Sequence, residues 1–492
     1  MSALAQAVPP PLDLPEVDWR AIAPELALLG AGILAILWVA FAPRQRGVTA
    51  VLTLLGLGVA GYLTWWNWDL ERVAFDGAFA ADGITRYARM VLIGVGVIAT
   101  LMVAHDEAGD RRTPPEVLPL MLFALTGMTL ISGASDLLVA FVALEILSLS
   151  LYIMAGATRR KRAQEAAMKY FLLGAFSSAF LMYGIALVYG ATGTTNLRGI
   201  SAAVGDATTD TTLLLAGAGL LAVGFLFKVA AVPFHMWTPD VYQGSPTSVT
   251  AFMAAATKVA AFSVFLRVFV GALGGLAGSW QPVIAVVAAI TMLAGAALAV
   301  VQTDLKRMLA YSSVNHAGYV LIGLAAASSA GISAAMFYLL AYAFIVMGAF
   351  LVVQYASRAG ATERSSIEDY RGFGRRHPVA GGLLALFLFS LAGIPPALSG
   401  FWAKYFVFQA GIDAGLTWLV VIGVISSVVA AFFYLRVVVI SFLQDPTTPD
   451  TELQASPVLG LALGLAGVLT IAIGLAPQVL VTAAQAAGRI LG

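Results

Sequence analysis

The sequence contains no cysteine, and this absence limits its chemistry. Without thiolates the chain cannot supply cysteine ligands to an iron–sulfur cluster, form a disulfide or attach a c-type haem. Charge is also scarce, at 11% of 492 residues, whereas soluble domains carry about 25%. The four histidines have no metal-ligand spacing, so we expect no metal site (His105, His235, His316, His377).

Apolar residues dominate what is present. They make up 60% of the chain, and the mean hydropathy is +0.91. Since about 20 apolar residues span a bilayer, the sequence predicts an all-α polytopic membrane protein with about fourteen transmembrane helices. The predicted spans are 22–41, 48–68, 83–104, 117–133, 135–157, 166–190, 212–244, 247–271, 280–303, 307–328, 331–357, 378–411, 415–443 and 457–487.

Two of these spans, 212–244 and 378–411, are too long for a simple crossing and contain proline half-way. Proline removes a backbone N–H and clashes with the preceding turn, so both helices should be broken. Broken helices at membrane depth are tolerated where the freed backbone faces protein or water. The prolines are Pro233 with Pro239, and Pro395 with Pro396.

Basic residues concentrate in the odd-numbered loops between spans. The positive-inside rule therefore places those loops in the cytoplasm and both termini outside, in a multi-pass protein of the cell (inner or plasma) membrane. The first residues, Met1–Pro11, lack a basic leader pattern, so we expect 22–41 to be a retained helix. The basic residues are Arg44, Arg46, Arg111, Arg112, Arg159, Arg160, Lys161, Arg162, Lys306, Arg307, Arg358, Arg364, Arg371, Arg375 and Arg376.

An internal repeat links the two broken helices, because the stretch 225–233 matches 387–395. Each copy has about five helices, and an odd number makes consecutive copies inverted, as in secondary transporters. We expect two inverted five-helix repeats, each with one broken helix. The predicted units are 1–116 (helices 1–3), 117–271 (first repeat), 280–443 (second repeat) and 457–492 (last helix).

Four charged residues stand alone within apolar stretches: Glu145, Lys228, Lys258 and Lys404. A charge at mid-membrane depth costs roughly 2.5–3.5 kcal/mol on insertion scales and usually faces protein, water or a partner. Opposite signs favour pairing of Glu145 with Lys228, and freed carbonyls of the broken helix could stabilise the Lys228 ammonium. A structural ion pair, or lysines that reach the membrane interface, would be the non-conducting explanation. The pattern favours movement of charge, most simply of protons, across the bilayer.

Other polar residues are weaker candidates. His235 and His316 could relay protons, although packing histidines are equally compatible with the pattern. Arg267 and Arg436, near helix ends, are expected to be interface anchors, and Glu165 with Lys169 a surface pair. No GxGxxG follows a strand, so no nucleotide site is indicated. We also expect no nucleic-acid partner.

The stretches 228–240, 241–249, 256–260, 302–313 and 400–405 resemble the antiporter-like family of proton-translocating membrane subunits. These occur in respiratory complex I (NADH–quinone oxidoreductase), in Mrp-type cation/proton antiporters and in membrane-bound hydrogenases. The similarity covers nearly the whole chain and is most specific between about residues 136 and 405. Lys404 distinguishes one sibling subunit from another that typically has a glutamate there.

The resemblance implies a role for each charge. Glu145 and Lys228 would be a coupling pair, Lys258 the central proton carrier and Lys404 the site of exchange with the far side. It also implies that this subunit binds no cofactor, while NADH, FMN, iron–sulfur clusters and quinone are used elsewhere in the complex. The implied partners are the other membrane subunits, including sibling antiporter-like subunits, and the lipid bilayer.

Two alternatives remain open from the sequence. One is a Mrp-type cation/proton antiporter subunit, against which the Tyr-Gln-Gly-Ser-Pro stretch at 242–246 argues. The other is a structural membrane subunit that conducts nothing.

Overall fold

The computed structural model describes residues 17–108, 113–158, 160–206, 208–357, 365–395, 398–446 and 456–488. Within these ranges the chain is almost entirely helical, as its apolar composition predicts. Eleven helical stretches of the described chain are long and apolar enough to cross a membrane, and two apolar helices are shorter (Val117–Gly133 and Pro378–Ala392). The structure is that of a polytopic helical membrane protein.

In the first third of the chain, α3 packs against α2 and α4, and α5 packs between α4 and α6. Two short antiparallel strands, β1 (Arg72–Ala74) and β2 (Phe79–Ala81), precede α3 and are not predicted by the apolar pattern. The helices are α1 (Ala23–Phe41), α2 (Arg46–Trp66), α3 (Gly83–Ala108), α4 (Val117–Gly133), α5 (Leu137–Ala155) and α6 (Lys161–Thr192), followed by the short α7 (Leu197–Val204).

The centre of the molecule is α10, whose residues are all buried. It packs against α3, α4, α8 and α13, so no face of α10 reaches the outer surface. The helices of this region are α8 (Thr211–Val229), α9 (Trp237–Gly244), α10 (Thr247–Leu266) with a π-helical continuation (Arg267–Ala272), α11 (Ala277–Val300), α12 (Leu305–Ala325) and α13 (Ser329–Ala356).

The last third packs on α13 from the other side. The predicted span 457–487 is in fact two helices, because Pro477 begins a new helix after Leu475. The helices are α14 (Phe373–Arg376), α15 (Pro378–Ala392), α16 (Leu398–Asp413), α17 (Thr417–Leu443), α18 (Pro457–Leu475) and α19 (Pro477–Ala487).

Both predicted helix breaks are present. The first separates α8 from α9 and contains Pro233, whereas Pro239 lies inside the first turn of α9, where proline is tolerated. The second separates α15 from α16 and contains Pro395, and Pro396 lies outside the described residues. Each first half ends at a residue with positive φ, Ala230 (63°) and Gly393 (74°), respectively.

Several residues behind the predicted orientation lie outside the described part of the chain: Met1–Pro11, Arg111, Arg112, Arg159, Arg358 and Arg364. Lys306, expected in a cytoplasmic loop, is instead fully buried and donates a hydrogen bond to the carbonyl of Ser245 at 2.7 Å. Packing of α12 against α9 therefore covers a residue that the sequence pattern assigns to solvent.

Candidate functional site

Glu145 and Lys228 are neighbours, but no salt bridge joins them in the described structure. Ser178 of α6 donates a hydrogen bond to Glu145 Oε1 at 2.5 Å, and the glutamate is half-buried. Lys228, at the end of α8, donates instead to Ser148 Oγ (2.7 Å) and Tyr152 Oη (3.3 Å) of α5. Ser148 lies one helical turn from Glu145, so the two charges interact electrostatically across a hydroxyl-lined gap.

Lys258 lies near the centre of α10, and its side chain extends to the first helix break. Its ammonium donates to the carbonyl oxygen of Val229 at 2.9 Å, and its side chain is buried. Val229 is the last residue of α8 and directly follows Lys228. The carbonyl end of a helix carries partial negative charge and favours a cation. The carbonyl that was expected to hold Lys228 therefore holds Lys258.

Lys404 occupies the second break in the same manner. Its Nζ donates to the carbonyl oxygen of Ala392, the last residue of α15, at 2.7 Å. A second hydrogen bond goes to Ser427 Oγ of α17 at 2.7 Å, and the ring of Tyr319 lies 4.9 Å from the ammonium. In each broken helix, the carbonyl at the end of the first half thus accepts a hydrogen bond from the ammonium group of a buried lysine.

His316 lies in an aromatic pocket of α12, α13 and α17. Its Nδ1 is 2.6 Å from Tyr338 Oη, and its Nε2 is 3.1 Å from Tyr434 Oη, which in turn bonds to Ser312. Lys258 and Lys404 both lie close enough to act electrostatically on the buried imidazole. His316 is therefore a buried polar group near both lysine sites.

His235 has a different position. It lies half-buried in the break between α8 and α9, with its ring 6.5 Å from that of Tyr311. No hydrogen bond connects it with the three lysines in the described residues.

A hydrogen-bonded cluster that the sequence did not reveal joins α12 to α17 near Lys404. Asn315 Nδ2 donates to Ser426 Oγ at 2.6 Å, and Tyr319 Oη donates to the same oxygen at 3.4 Å. The next residue, Ser427, holds Lys404. Two consecutive serines inside a 27-residue apolar helix were the available signal.

The remaining charged candidates are structural. Arg267 was expected at the membrane interface, and this prediction is wrong, because it forms a fully buried pair with Asp82 at 2.8 Å. Arg436 donates to the carbonyls of Val300 and Gln302 at the end of α11. The surface pair Glu165–Lys169 is confirmed at 2.7 Å.

The cavity next to Lys404 opens on the outer surface of α16 and α17. Its volume is about 450 Å³, and its walls include Tyr405, Phe408, Gln409 and Asp413. Lys404, which is 5% exposed, lines this cavity, whereas Lys258 is enclosed by helices. Among the described residues, no cluster of histidine, aspartate or glutamate could hold a metal ion.

Residues 134–430, more than half of the chain, match the family model described as "NADH:quinone oxidoreductase/Mrp antiporter, TM". The chain belongs to this family of antiporter-like membrane subunits. Within the family, the motifs around 228–260 and the lysine at 404 predict similarity to subunit N of NADH–quinone oxidoreductase, and the relatives confirm that prediction.

The protein of Acidothermus cellulolyticus named NADH-quinone oxidoreductase subunit N is 44% identical in an alignment of 509 positions that covers 97% of each chain. The Mycobacterium tuberculosis protein of the same name is 42% identical in an alignment of 530 positions that covers 98% of this chain and 99% of the relative. Both similarities span nearly the whole length of the molecules.

Solved structures agree at the level of fold. A chain of respiratory complex I from Thermus thermophilus superposes with a TM-score of 0.79 at 35% identity, covering 93% of this chain and 98% of the other. A chain of the Mrp complex from Dietzia has a TM-score of 0.82 at 24% identity, covering 96% and 97%. The second comparison shows a shared fold only.

Proposed function

We propose that this chain translocates protons across the membrane as a subunit of NADH–quinone oxidoreductase. It moves them from the cytoplasm outward through Glu145, Lys228, Lys258 and Lys404, driven by quinone reduction elsewhere in the complex. The observation that carries the proposal is the placement of buried lysine ammonium groups on the carbonyl ends of both broken helices. A lysine held by neutral carbonyl and hydroxyl oxygens, without a carboxylate, can release and regain its proton.

We infer the order of the relay from the polar contacts. Lys228 and Lys258 meet at the end of α8, since Lys258 bonds to the residue that follows Lys228. His316, with Tyr338 and Tyr434, completes the route as a relay between Lys258 and Lys404. His235, in the first break, is a second candidate relay on the Lys258 side of the molecule. We infer that ordered water connects groups that lack direct hydrogen bonds.

Displacement of charge provides the driving step. A proton that reaches Glu145 weakens its attraction for Lys228, and the freed positive charge favours release of the proton of Lys258. Two unit charges 10 Å apart interact by about 1.7 kcal/mol at an effective dielectric constant of 20. This exceeds the free energy of a tenfold change in a protonation equilibrium, so one site can influence the next.

The proposal includes the architecture and surroundings of the route. Ten of fourteen spans form two inverted repeats of five helices, 117–271 and 280–443, and both termini lie outside. The cavity from Lys404 to Asp413 then opens toward the outer side. The chain itself binds no redox cofactor, and its partners are other membrane subunits, including its antiporter-like siblings.

Substitution of Lys258 by alanine tests the proposal. Removing a positioned proton carrier slows its transfer step by about 100-fold or more, so proton pumping and coupled quinone reduction should both fall strongly in the assembled complex. The measurement is proton uptake by proteoliposomes during NADH oxidation, normalised to the amount of complex. The matched control is Lys161→Ala, at the exposed start of α6.

Normal proton uptake by assembled Lys258→Ala complex would contradict the proposal and favour a structural role for the chain. Sodium transport without NADH would instead favour a cation/proton antiporter. Copurification of NADH–quinone activity with the tagged chain in mild detergent tests membership in the complex separately.

A further inference from the structure

Asp240 joins three helices at the face of the molecule formed by odd-numbered loops. Its Oδ2 accepts a hydrogen bond from Lys169 Nζ of α6 at 2.9 Å, and its Oδ1 accepts one from Arg307 Nη1 of α12 at 2.7 Å. Asp240 itself belongs to α9, the second half of the first broken helix. One carboxylate therefore ties α9 to helices on both of its sides.

The start of α12 donates two more hydrogen bonds to α9 and its C-cap residue. Arg307 Nη1 also donates to Gln243 Oε1 at 3.3 Å, and the preceding residue, Lys306, donates to the carbonyl of Ser245 at 2.7 Å. Ser245 caps the C-terminal end of α9, where the partial negative charge of the helix favours cations. Two successive basic residues thus hold the end of one short helix.

These helices carry the two parts of the relay. Upstream of α9 lie the break with His235 and the Val229 carbonyl that holds Lys258. Downstream in α12 lies His316. Tyr311 of α12 connects the His235 break with Arg307. Its ring is 6.5 Å from that of His235 and 5.9 Å from the Arg307 guanidinium. A shift of α9 along α12 would change the alignment of these groups.

We propose that Asp240 is a positioning residue, which with Arg307 forms a charge bridge between the two repeats and aligns the Lys258 side of the relay with His316. This inference rests on the proposed function. The second repeat has no carboxylate at the equivalent place after its break, where Trp402 stands. Its bond to Arg307 is partly shielded from solvent, with 31% and 35% of the two side chains exposed, so it is stronger than a fully exposed pair.

Asp240→Asn tests the bridge, since it keeps the size of the side chain and removes its charge. We expect the rate of proton pumping to fall about five-fold, which corresponds to about 1 kcal/mol in activation free energy. The matched control is Glu165→Gln, which removes the other carboxylate bonded to Lys169 and leaves Asp240–Arg307 intact. This control should pump normally, and Asp240→Glu should retain most of the proton pumping that Asp240→Asn loses.

Arg307→Gln breaks the same bond from the other side and should reproduce the defect. If Asp240→Asn does not assemble, Arg307→Gln serves as the test of the bridge. Normal pumping by either assembled variant, or an equal loss in Glu165→Gln, would overturn the bridge. The proposed function would still stand in that case if Lys258→Ala abolishes pumping, and it would fail independently if Lys258→Ala pumps normally.

Discussion

At Lys258 and Lys404 the ammonium group is bound by the same kind of partner, a main-chain carbonyl at the end of an interrupted helix. A carboxylate partner would hold the proton on lysine by charge attraction. A carbonyl stabilises the ammonium less, while its dipole still compensates part of the cost of burial. The choice of partner therefore suits lysines that give up and regain protons.

Gly393 allows Lys404 to approach the second break. Its φ is 74°, and a Cβ atom at this position would lie 2.9 Å from Lys404 Cδ. Gly393→Ala should therefore displace the lysine and add about 1–2 kcal/mol of local backbone strain. We expect reduced proton pumping and a lower inactivation temperature of the purified complex.

Gly382→Ala is the control for this substitution. It lies in the same helix, α15, and a Cβ atom there would meet nothing within 4 Å. Gly382→Ala should therefore leave both proton pumping and the inactivation temperature of the complex unchanged. Equal behaviour of the two variants would show that Lys404 does not depend on the glycine.

At the scale of helices, each break is stabilised by side chains that come from outside it. In the first, Trp237 Nε1 donates to the carbonyl of Phe227 at 3.0 Å, and the N–H of Val232 donates to Thr291 Oγ1 at 3.0 Å. In the second, Ser427 Oγ shares the Ala392 carbonyl with Lys404. Interrupted helices persist at membrane depth because their freed backbone groups are satisfied in this way.

Trp237→Phe should weaken the first break. The ring would keep its stacking against Tyr170, but the Phe227 carbonyl would keep only the backbone N–H of Ala230 as a donor. Loss of one hydrogen bond costs about 0.5–1.5 kcal/mol, so the thermal inactivation temperature of the complex should fall. Trp65→Phe, at an exposed position in α2, is the control and should leave it unchanged. A drop of the same size in both variants would exclude the proposed role of the indole.

For the whole molecule, buried ion pairs link α3 to the central helix α10 and α1 to α3. Arg267 follows α10 directly and forms two hydrogen bonds of 2.8 Å with Asp82, just before α3. A second buried pair, Glu25–Arg89 at 2.7 Å, joins α1 to α3. The helix that carries Lys258 is thereby fixed to a bundle outside the proposed repeats.

Asp82→Asn should be strongly destabilising, because it leaves the Arg267 charge buried without its partner, at a cost of about 3–5 kcal/mol. The amount of assembled complex in membranes and its resistance to limited proteolysis are the measurements. Asp18→Asn, which breaks a solvent-exposed pair with Arg72, should cost about 1 kcal/mol or less. Normal assembly of Asp82→Asn would show that the buried pair is dispensable.

Much of the architecture follows from local sequence. Lengths of apolar segments predict the membrane helices, and proline inside two of them predicts the breaks, because both effects act within one turn or one span. The solitary charges predict that Lys228, Lys258 and Lys404 are buried within the protein, since a charged side chain in the middle of an apolar helix is too costly to face lipid. The division of 457–487 at Pro477 was missed, although proline was again the signal.

The partners of these charges depend on tertiary structure. Helical periodicity defines where a side chain lies on its own helix, but contact between helices depends on packing of segments far apart in sequence. Asp82 and Arg267 are 185 residues apart, and Lys228 and Ser148 are 80 apart. The sequence by itself therefore determined a membrane protein with buried charges and broken helices. Only the three-dimensional packing decided that Lys258, and not Lys228, meets the open end of α8.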